Sequence, residues 1–320
     1  YGLVGSEMCI RDRKNFDTDK LRLYPEPTCK VLVDAIADYY GIRSSQVFTG
    51  VGSDDVLAMI FMTFFNSKKP ILFPDITYSF YDVWANMLRI PFETKALDDD
   101  FQIRKEDYYG DNGGVVFPNP NAPTGILMPL SEIEDIIAHN RNVIVVVDEA
   151  YIDFGGESAL PLIEKYDNLL VVQTFSKSRS LAGMRLGFAM GNEKLIRYIN
   201  DVKYSFNSYT LNQTALVLGV QAIRDREYFE ETCAKVIATR EWTKCELKKL
   251  GFSFGDSMSN FIFATHERVP AKEIFEALRE HNIFVRYFSK PRISNYLRIS
   301  IGTQQEMERL TAFLAVFLGE

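Results

Sequence analysis

The sequence predicts an α/β fold, with a mostly parallel central sheet covered by helices on both faces and a smaller α+β domain at the C-terminal end. From Pro70 onward, continuous apolar runs such as VIVVV (Val143–Val147) alternate with amphipathic segments. Uninterrupted β-branched runs are typical of parallel strands that are buried on both faces. The polar segments FPNPNAPTG, DEAY and TFSKS each follow such a run. Ligands of these sheets bind at the carboxyl ends of the strands, so we expect a functional site where the three loops meet.

The first half of the chain predicts the elements of the large domain in order. LRLYPEPT (Leu21–Thr28) is an extended segment, after which Thr28 can cap a helix that ends at Gly41. QVFTGVGSDDVLAMIFMTFF predicts a strand, a glycine-rich turn and an apolar helix, and the turn suits either a phosphate cradle or a plain tight turn. The elements expected next are a strand at Ile71–Phe73, a helix at Thr77–Leu88 capped by Thr77, a strand at Gly113–Phe117, a helix with a capping box of Ser131 and Glu134, and the strands LLVVQ and LGFAM.

The second half predicts a smaller domain. A long helical region from about Leu211 to Leu250 precedes the strand NFIFAT, a helix opening at Pro270, the strands IFVRYF and YLRISIG, and a final helix at Gln304–Leu318. We therefore divide the chain into an N-terminal segment (14–40), a large domain (41–205), and linking helices with a small domain (206–320). Residues 1–13, YGLVGSEMCIRDR, look like neither a signal peptide nor a transit peptide. SEMCIRDR is similar to translated sequencing adapter, and we expect residues 1–13 to be non-native.

Composition excludes several classes of protein. The net charge of the 320 residues is −7 with both signs interspersed, which gives no indication of a nucleic-acid or anionic-membrane partner. No apolar run reaches the roughly 18 residues of a membrane span. No CxxC pair occurs, so neither a disulfide framework nor a zinc site is expected from Cys9, Cys29, Cys233 and Cys245. We expect a cytoplasmic protein without a metal, and ordinary surface roles for His139, His266 and His281.

Lys177 is the main candidate for covalent chemistry. It stands between two serines just after a predicted strand, and Arg185 follows eight residues later. A lysine at a strand end can form a Schiff base with an aldehyde when its amine stays partly unprotonated. An isolated FSKS is more often a surface lysine in a polar loop. A cation and hydroxyls suited to a phosphate group surround it in sequence: Arg185, Thr174, Ser176 and Ser178.

Four motifs, NPNAPTG, VVDEAY, TFSKSRSLAGMRLG and YLRISIGT, occur in the order and spacing of one family. From about Phe16 onward the chain resembles the fold-type I aminotransferases that use pyridoxal 5'-phosphate, most closely the histidinol-phosphate aminotransferases. The resemblance implies a homodimer with shared sites that exchanges amino groups between histidinol phosphate and 2-oxoglutarate in histidine biosynthesis. A threonine-phosphate decarboxylase or an aromatic amino-acid aminotransferase of the same fold is the alternative.

The resemblance also implies roles for individual residues. Lys177 would hold the cofactor and move the substrate's α-proton, Asp148 would pair with the pyridine nitrogen, and Tyr151 would donate to the phenolic oxygen. Further cofactor contacts are implied for Gly52, Ser53, Asp54, Tyr78, Asn121, Thr174, Ser176, Arg185 and, from the other subunit, Tyr24. The implied substrate ligands are Arg298 and Arg286.

Two of these positions have a plainer explanation, and one position departs from the family pattern. Asp148 could simply cap a turn, and Tyr78 could be a packing residue. Ala122 stands where many relatives have an asparagine that bonds the phenolic oxygen. Asn121 or Asn119 could substitute for that asparagine, or Tyr151 could make the bond alone.

Overall fold

A seven-stranded sheet organises the larger part of the protein in a computed structural model, which describes residues 17–319. Its strands are β1 (Val47–Gly50), β2 (Ile71–Pro74), β3 (Phe92–Lys95), β4 (Gly114–Pro118), β5 (Val145–Asp148), β6 (Leu169–Thr174) and β7 (Gly187–Gly191). They lie in the order β1-β7-β6-β5-β4-β2-β3, and neighbouring strands from β6 to β3 are parallel. Strand β7 runs antiparallel to both of its neighbours. The predicted mostly parallel sheet is therefore confirmed.

Helices cover both faces of this sheet. They are α1 (Lys30–Tyr40), α2 (Gly52–Phe64), α3 (Tyr81–Leu88), α4 (Leu130–His139), α5 (Glu193–Phe206) and α6 (Gln213–Arg224). Successive strand residues point to opposite faces. Accordingly Val145 and Val147 pack in one core cluster with α1, α4 and α6, whereas Val146 packs in a second cluster with α2, α3 and α5. The continuous apolar runs of the sequence reflect burial on both sides.

The smaller domain is an antiparallel sheet covered by helices. Its elements are α7 (Arg226–Lys249), β8 (Phe252–Phe254), β9 (Phe261–His266), α8 (Ala271–Glu280), β10 (Arg286–Tyr287), β11 (Leu297–Ser300) and α9 (Gln304–Leu318). The four strands lie in the order β10-β11-β9-β8 around a core of their own. The expected α+β domain is confirmed, although β8 was not anticipated and Asp225 separates the long helical region into α6 and α7.

Three predicted helix starts were wrong. Helix α1 begins after Cys29, because the carboxylate of Glu26, rather than the hydroxyl of Thr28, accepts the N–H of Lys30. Helix α3 begins at Tyr81, so residues 77–80 form a turn before it. Helix α4 begins at Leu130 without a side-chain cap. The capping box expected from Ser131 and Glu134 does not form, and Glu134 instead bonds two side chains beyond the helix, those of Lys165 and Tyr166.

His266 is not a surface residue. Its side chain is 2% exposed at the end of β9, where Nε2 lies 2.9 Å from the carbonyl oxygen of Leu250 and Nδ1 accepts the N–H of Val269 at 3.0 Å. Both ring nitrogens have hydrogen-bond partners, so this histidine connects the end of β9 to Leu250, which follows α7, and to Val269 in the next loop. His139 and His281 are exposed as expected. The segment 1–13 and Cys9 lie outside the described residues. Between residues 17 and 319, no helix is long and apolar enough to cross a bilayer.

Candidate active site

The polar loops that follow β4, β5 and β6 meet at one edge of the large sheet. Pro118 is paired with Asp148, and Asp148 with Val172, so these strands end at the same level. The N–H of Asn119 donates to the carbonyl oxygen of Asp148 at 2.8 Å and joins two of the loops. The expectation that the loops converge at the carboxyl ends of the strands is confirmed.

Lys177 is half-buried in the loop after β6, and its ammonium nitrogen lies 5.3 Å from the centre of the Tyr151 ring. That distance allows a cation–π contact, which places the amine above a ring from the neighbouring loop. The hydroxyl of Ser178 does not share this environment. Ser178 is buried and donates to the half-buried carboxylate of Asp153, so its hydroxyl is engaged within the protein and not available to a phosphate.

Asp148 is a buried carboxylate at the end of β5, and only 5% of it is exposed. Oδ2 accepts a 2.8 Å hydrogen bond from the hydroxyl of Tyr81, and Oδ1 accepts the N–H of Ala150 at 3.2 Å. Burial raises the pKa of Asp148 to about 6. Among the described residues no cation forms an ion pair with Asp148. Its carboxylate can therefore pair with a cationic ring nitrogen of a ligand. The bond from Ala150 shows that Asp148 caps its turn as well.

A cradle of backbone N–H groups and the Arg185 guanidinium lies between the start of α2 and the loop that follows β6. Gly52, the first residue of α2, has φ +83°, and a Cβ there would lie 2.4 Å from a guanidinium nitrogen of Arg185. A Cβ on Gly187 would lie 2.3 Å from the backbone nitrogen of Ser53. The two glycines therefore let β7 and Arg185 approach the helix N-terminus closely.

The positive charges of this cradle favour the binding of an anion. A helix N-terminus carries partial positive charge and offers N–H donors, and Val51 gives α2 no side-chain cap. Arg185 adds a full positive charge, and its Nη2 atom forms an ion pair with Asp54 Oδ2 at 3.3 Å. Its Nη1 donates to Ser176 Oγ at 3.4 Å, and Thr174 Oγ1 lies 3.0 Å from the same oxygen. The donor set fits a phosphate dianion better than it fits the single carboxylate of Asp54.

Tyr78 and Asn121 border the same region. The hydroxyl of Tyr78 donates to Asp54 Oδ1 at 2.7 Å, and burial raises the pKa of this phenol well above its usual value. The amide nitrogen of Asn121 donates to Ile76 O at 3.0 Å and to Thr124 Oγ1 at 3.1 Å. Both amide hydrogens of Asn121 are thus engaged within the protein.

Asn119 is the other asparagine that could substitute at the position of Ala122. Asn119 uses its side chain to bond the backbone of Met128, at 2.8 Å to the N–H and 3.2 Å to the carbonyl oxygen. Ala122 is buried and carries no polar side-chain atom. The side-chain amide of Asn119 is therefore engaged within the protein, whereas the hydroxyl of Tyr151 forms no hydrogen bond with another described residue.

Arg298 approaches the site from the small domain. Its guanidinium carbon lies 5.0 Å from the centre of the Phe261 ring, and that ring packs edge-on against Tyr151 at 5.1 Å. The Nε atom is buried and has no hydrogen-bond partner among residues 17–319. Burial lowers the pKa of Arg298, Tyr151 raises it, and the nearby charge of Arg286 lowers it again. A largely desolvated guanidinium without an anion indicates a binding position for an anionic group.

Tyr24 stands apart from these residues within one chain. It is 82% exposed, and its ring centre lies 4.7 Å from that of Tyr209. No contact of the described residues joins Tyr24 to Lys177 or Arg185. Its predicted contact to a cofactor phosphate would therefore need a second copy of the chain.

Tyr81 and Phe261 contact the site residues but were not predicted. Tyr81 fits the apolar periodicity of α3, and Phe261 belongs to the apolar strand NFIFAT. Each therefore looks like an ordinary core position in the sequence. The aromatic residue expected at the cofactor is Tyr78, in the turn before α3, and no signal in the sequence gives Tyr81 a role beyond packing.

Comparisons with known proteins show the family and the fold of the chain. The sequence profile of the family "Aminotransferase class I and II" matches residues 8–314. The chain is 53% identical over 295 residues to the histidinol-phosphate aminotransferase of Clostridium botulinum (strain Langeland / NCTC 10281 / Type F), covering 92% of this chain and 83% of that protein. In fold it is similar to the histidinol-phosphate aminotransferase from Clostridium acetobutylicum, with a TM-score of 0.91 at 20% identity over 99% of this chain and 97% of that one. The enzyme from Sinorhizobium meliloti in complex with pyridoxal-5'-phosphate gives a TM-score of 0.89 at 21% identity, covering 98% and 88%.

Proposed function

Because the chain belongs to the class I and II aminotransferases, and within them to the histidinol-phosphate aminotransferases, we propose that it transfers the amino group of histidinol phosphate to 2-oxoglutarate with pyridoxal phosphate as cofactor. The products are imidazole-acetol phosphate and glutamate, in histidine biosynthesis. The observation that carries the proposal is the convergence of Lys177, Asp148 and the Arg185 cradle at one edge of the sheet. These three features are the amine, the carboxylate and the anion site that the cofactor requires.

The residues that would hold the cofactor fall into two groups. Lys177 would bind its aldehyde carbon, and Asp148 would pair with its ring nitrogen. The phosphate would be held by the backbone N–H groups of Gly52, Ser53 and Asp54 and by the side chains of Thr174, Ser176 and Arg185. Tyr78 would border the ring. When bound, pyridoxal phosphate supplies an acceptor for the electron pair that remains after the substrate loses its α-proton.

Lys177 would carry out proton transfer, with Tyr151 close to it. The amine of Lys177 would take the α-proton of the substrate and return a proton at the next step. Tyr151 would donate a hydrogen bond to the phenolic oxygen of the cofactor. Its ring lies beneath the Lys177 amine at 5.3 Å, which supports a shared location for the two groups. The engaged amide hydrogens of Asn121 favour Tyr151, rather than Asn121, as this donor and leave Asn121 to shape the loop.

Arg298 and Arg286 would bind the substrate's anionic end. A guanidinium group can form paired hydrogen bonds with a phosphate or a carboxylate, so one pair of arginines can serve both amino donors. The unpartnered Nε of Arg298 supports this role. Arg286 would add a second cation for the dianionic phosphate of histidinol phosphate.

The active unit would be a cytoplasmic homodimer with sites shared between subunits, and Tyr24 would reach the cofactor phosphate of the other subunit. Large apolar side chains near Tyr24 support a buried surface in this region, since isolated chains seldom expose contiguous patches of them. They include Leu21, Leu23 and Tyr24 itself, each more than half exposed, and Tyr209, whose ring contacts that of Tyr24.

Amino transfer and decarboxylation are separated by one assay. Purified protein with pyridoxal phosphate is given histidinol phosphate and 2-oxoglutarate in one vessel, and O-phosphothreonine in another. The proposal predicts glutamate in the first vessel and no carbon dioxide in the second. Carbon dioxide release without glutamate would favour the threonine-phosphate decarboxylase. A higher kcat/KM for aromatic amino acids than for histidinol phosphate would favour the aromatic aminotransferase.

A further inference from the structure

Tyr81 contacts the carboxylate that the proposed function assigns to the cofactor's ring nitrogen. Its hydroxyl, in the first turn of α3, donates to Asp148 Oδ2 at 2.8 Å. We infer that Tyr81 is a positioning residue for the cofactor, because its phenol keeps the Asp148 carboxylate ionised and aimed at the ring nitrogen. This inference rests on the proposed function.

The phenol is held rigidly. Tyr81 is completely buried, and its ring lies 6.2 Å from the ring of Phe61, 5.9 Å from that of Phe73 and 6.3 Å from that of Trp84, measured between centres. A side chain packed on several sides keeps one rotamer, so its hydroxyl points to one place. The orientation of the Asp148 carboxylate is therefore set by the large-domain core.

Asp148 keeps capacity for a further donor. Oδ2 accepts from Tyr81 and Oδ1 accepts from the N–H of Ala150. An ionised carboxylate has about four lone-pair positions, so these two bonds leave room for a ring N–H. A neutral carboxyl group carries a proton on one oxygen, so it has fewer acceptor positions. It would also lack the negative charge that attracts a cationic ring.

The protonation state of Asp148 depends on the groups that face it. Burial raises the pKa of Asp148 to about 6, and the bond from Tyr81 lowers it from what burial alone would give. The N–H of Ala150 and the charge of Lys177 also lower this pKa, whereas the charge of Asp54 raises it. Two further phenols, Tyr78 and Tyr151, also lie near the Tyr81 hydroxyl.

Tyr81 itself remains a donor. Burial, and then the charge of Asp148, raise the pKa of the Tyr81 phenol well above its usual value. Loss of its hydroxyl should therefore raise the pKa of Asp148, so that the carboxylate becomes neutral at a higher pH. Affinity for a cofactor with a cationic ring should decline over the same range.

The chain offers a matched control in Tyr108. This tyrosine is also fully buried, but its hydroxyl has no hydrogen-bond partner among residues 17–319. Tyr81→Phe and Tyr108→Phe each remove one hydroxyl from a buried ring, and only the first removes a bond to a carboxylate. Thermal unfolding of both cofactor-free proteins checks that the variants fold.

The primary readout is the dissociation constant of pyridoxal phosphate, measured by titrating cofactor-free protein across a range of pH. In Tyr81→Phe we expect a dissociation constant about tenfold higher at neutral pH, as for the loss of a hydrogen bond to a charged group. We also expect the loss of affinity at acidic pH to begin at a higher pH than in the unmutated protein. Tyr108→Phe should change neither quantity. Equal affinities and equal pH profiles in the two variants would overturn the inference.

A double-mutant cycle with Asp148→Asn separates positioning from general packing. An asparagine carries no charge for Tyr81 to stabilise, so adding Tyr81→Phe to Asp148→Asn should change the dissociation constant by clearly less than the about tenfold expected in the presence of Asp148. The same loss in both backgrounds would contradict a role through Asp148. If the unmutated protein does not bind pyridoxal phosphate at all, the proposed function fails as well, and that outcome is distinct from a failure confined to Tyr81.

Discussion

Arg286 and Arg298 lie directly opposite each other on the antiparallel strands β10 and β11. Like charges in this arrangement destabilise a strand pair. No carboxylate among the described residues forms an ion pair with either side chain, so the small domain does not compensate this repulsion internally. A dianionic ligand bound between the two guanidinium groups would compensate it.

Arg286→Ala should affect one substrate more than the other. Only the phosphate dianion needs the second cation, so kcat/KM for histidinol phosphate should fall about tenfold or more, the value of one charge-assisted hydrogen bond, with a smaller loss for glutamate. Steady-state kinetics with each amino donor measure this ratio. Arg279→Ala, which removes an exposed arginine of the same domain, is the control. An equal loss for both donors would show that Arg286 does not bind the phosphate.

Arg298→Lys should weaken both half-reactions. The substitution keeps the positive charge but loses the paired donors of the guanidinium group, which both a phosphate and a carboxylate use. Rapid mixing of the enzyme with either amino donor alone measures each half-reaction separately. Unchanged rates with both donors would remove Arg298 from the substrate site.

The shared-site proposal predicts rescue in mixed dimers. Tyr24→Phe should weaken pyridoxal phosphate binding at the other subunit's site, and Lys177→Ala should abolish catalysis at its own. A dimer with one copy of each variant has one site with both defects and one site with neither. Mixing the two proteins under conditions of subunit exchange should therefore restore activity toward half of a normal dimer. Activity no higher than the sum of the separate variants, or a monomer of full cofactor affinity in sedimentation, would contradict shared sites.

Glu149 should make folding stability depend on pH. It is 1% exposed, and burial raises its pKa from 4.5 to about 7, although Ser158 Oγ, the N–H of Ala159 and the amide of Gln173 donate to it. The folded protein thus holds this proton more tightly than the unfolded chain does. The stabilisation that results is complete below about pH 4.5 and is lost as the pH rises through 7.

Glu149→Gln tests this effect because glutamine does not titrate. The free energy of unfolding of the unmutated protein, minus that of Glu149→Gln, should decrease between pH 4.5 and 7, by at most about 1.4 kcal/mol per pH unit. Chemical denaturation of cofactor-free protein at several pH values measures the difference. Glu157→Gln, at an exposed position, should give a flat difference. A flat difference for Glu149→Gln as well would show that the buried carboxylate does not titrate in this range.

The parts of the site that could be predicted from sequence are polar residues directly after apolar strands. Lys177 and Asp148 stand out because a charged side chain does not fit inside a strand that is buried on both faces. Charged residues next to such a strand are therefore found at its end or in the following loop. Tyr81 does not stand out, since its function depends on which strand end its hydroxyl faces across the core. The surface position expected for His266 is wrong, because its partner, the carbonyl oxygen of Leu250, comes from a different element and cannot be identified from the sequence.

The predictions of helix caps were wrong for a similar reason. Thr28 is a good helix cap by residue type, but the Glu26 carboxylate accepts the N–H groups of both Thr28 and Lys30. Residue type indicates which groups can form a bond, whereas the geometry of the turn decides which of them does. The two strands that carry Arg286 and Arg298 were predictable from the sequence, but the absence of carboxylate partners for these arginines was not.

The central claim is that Lys177 carries pyridoxal phosphate at the edge of the large sheet. Treating the cofactor-loaded protein with borohydride fixes the bond between amine and cofactor, and mass spectrometry of the digested chain locates it. The account predicts one pyridoxyl group per chain, on the peptide that contains Lys177, and none on that peptide in Lys177→Ala. A pyridoxyl group on any other lysine of the unmutated protein, or none at all, would contradict it.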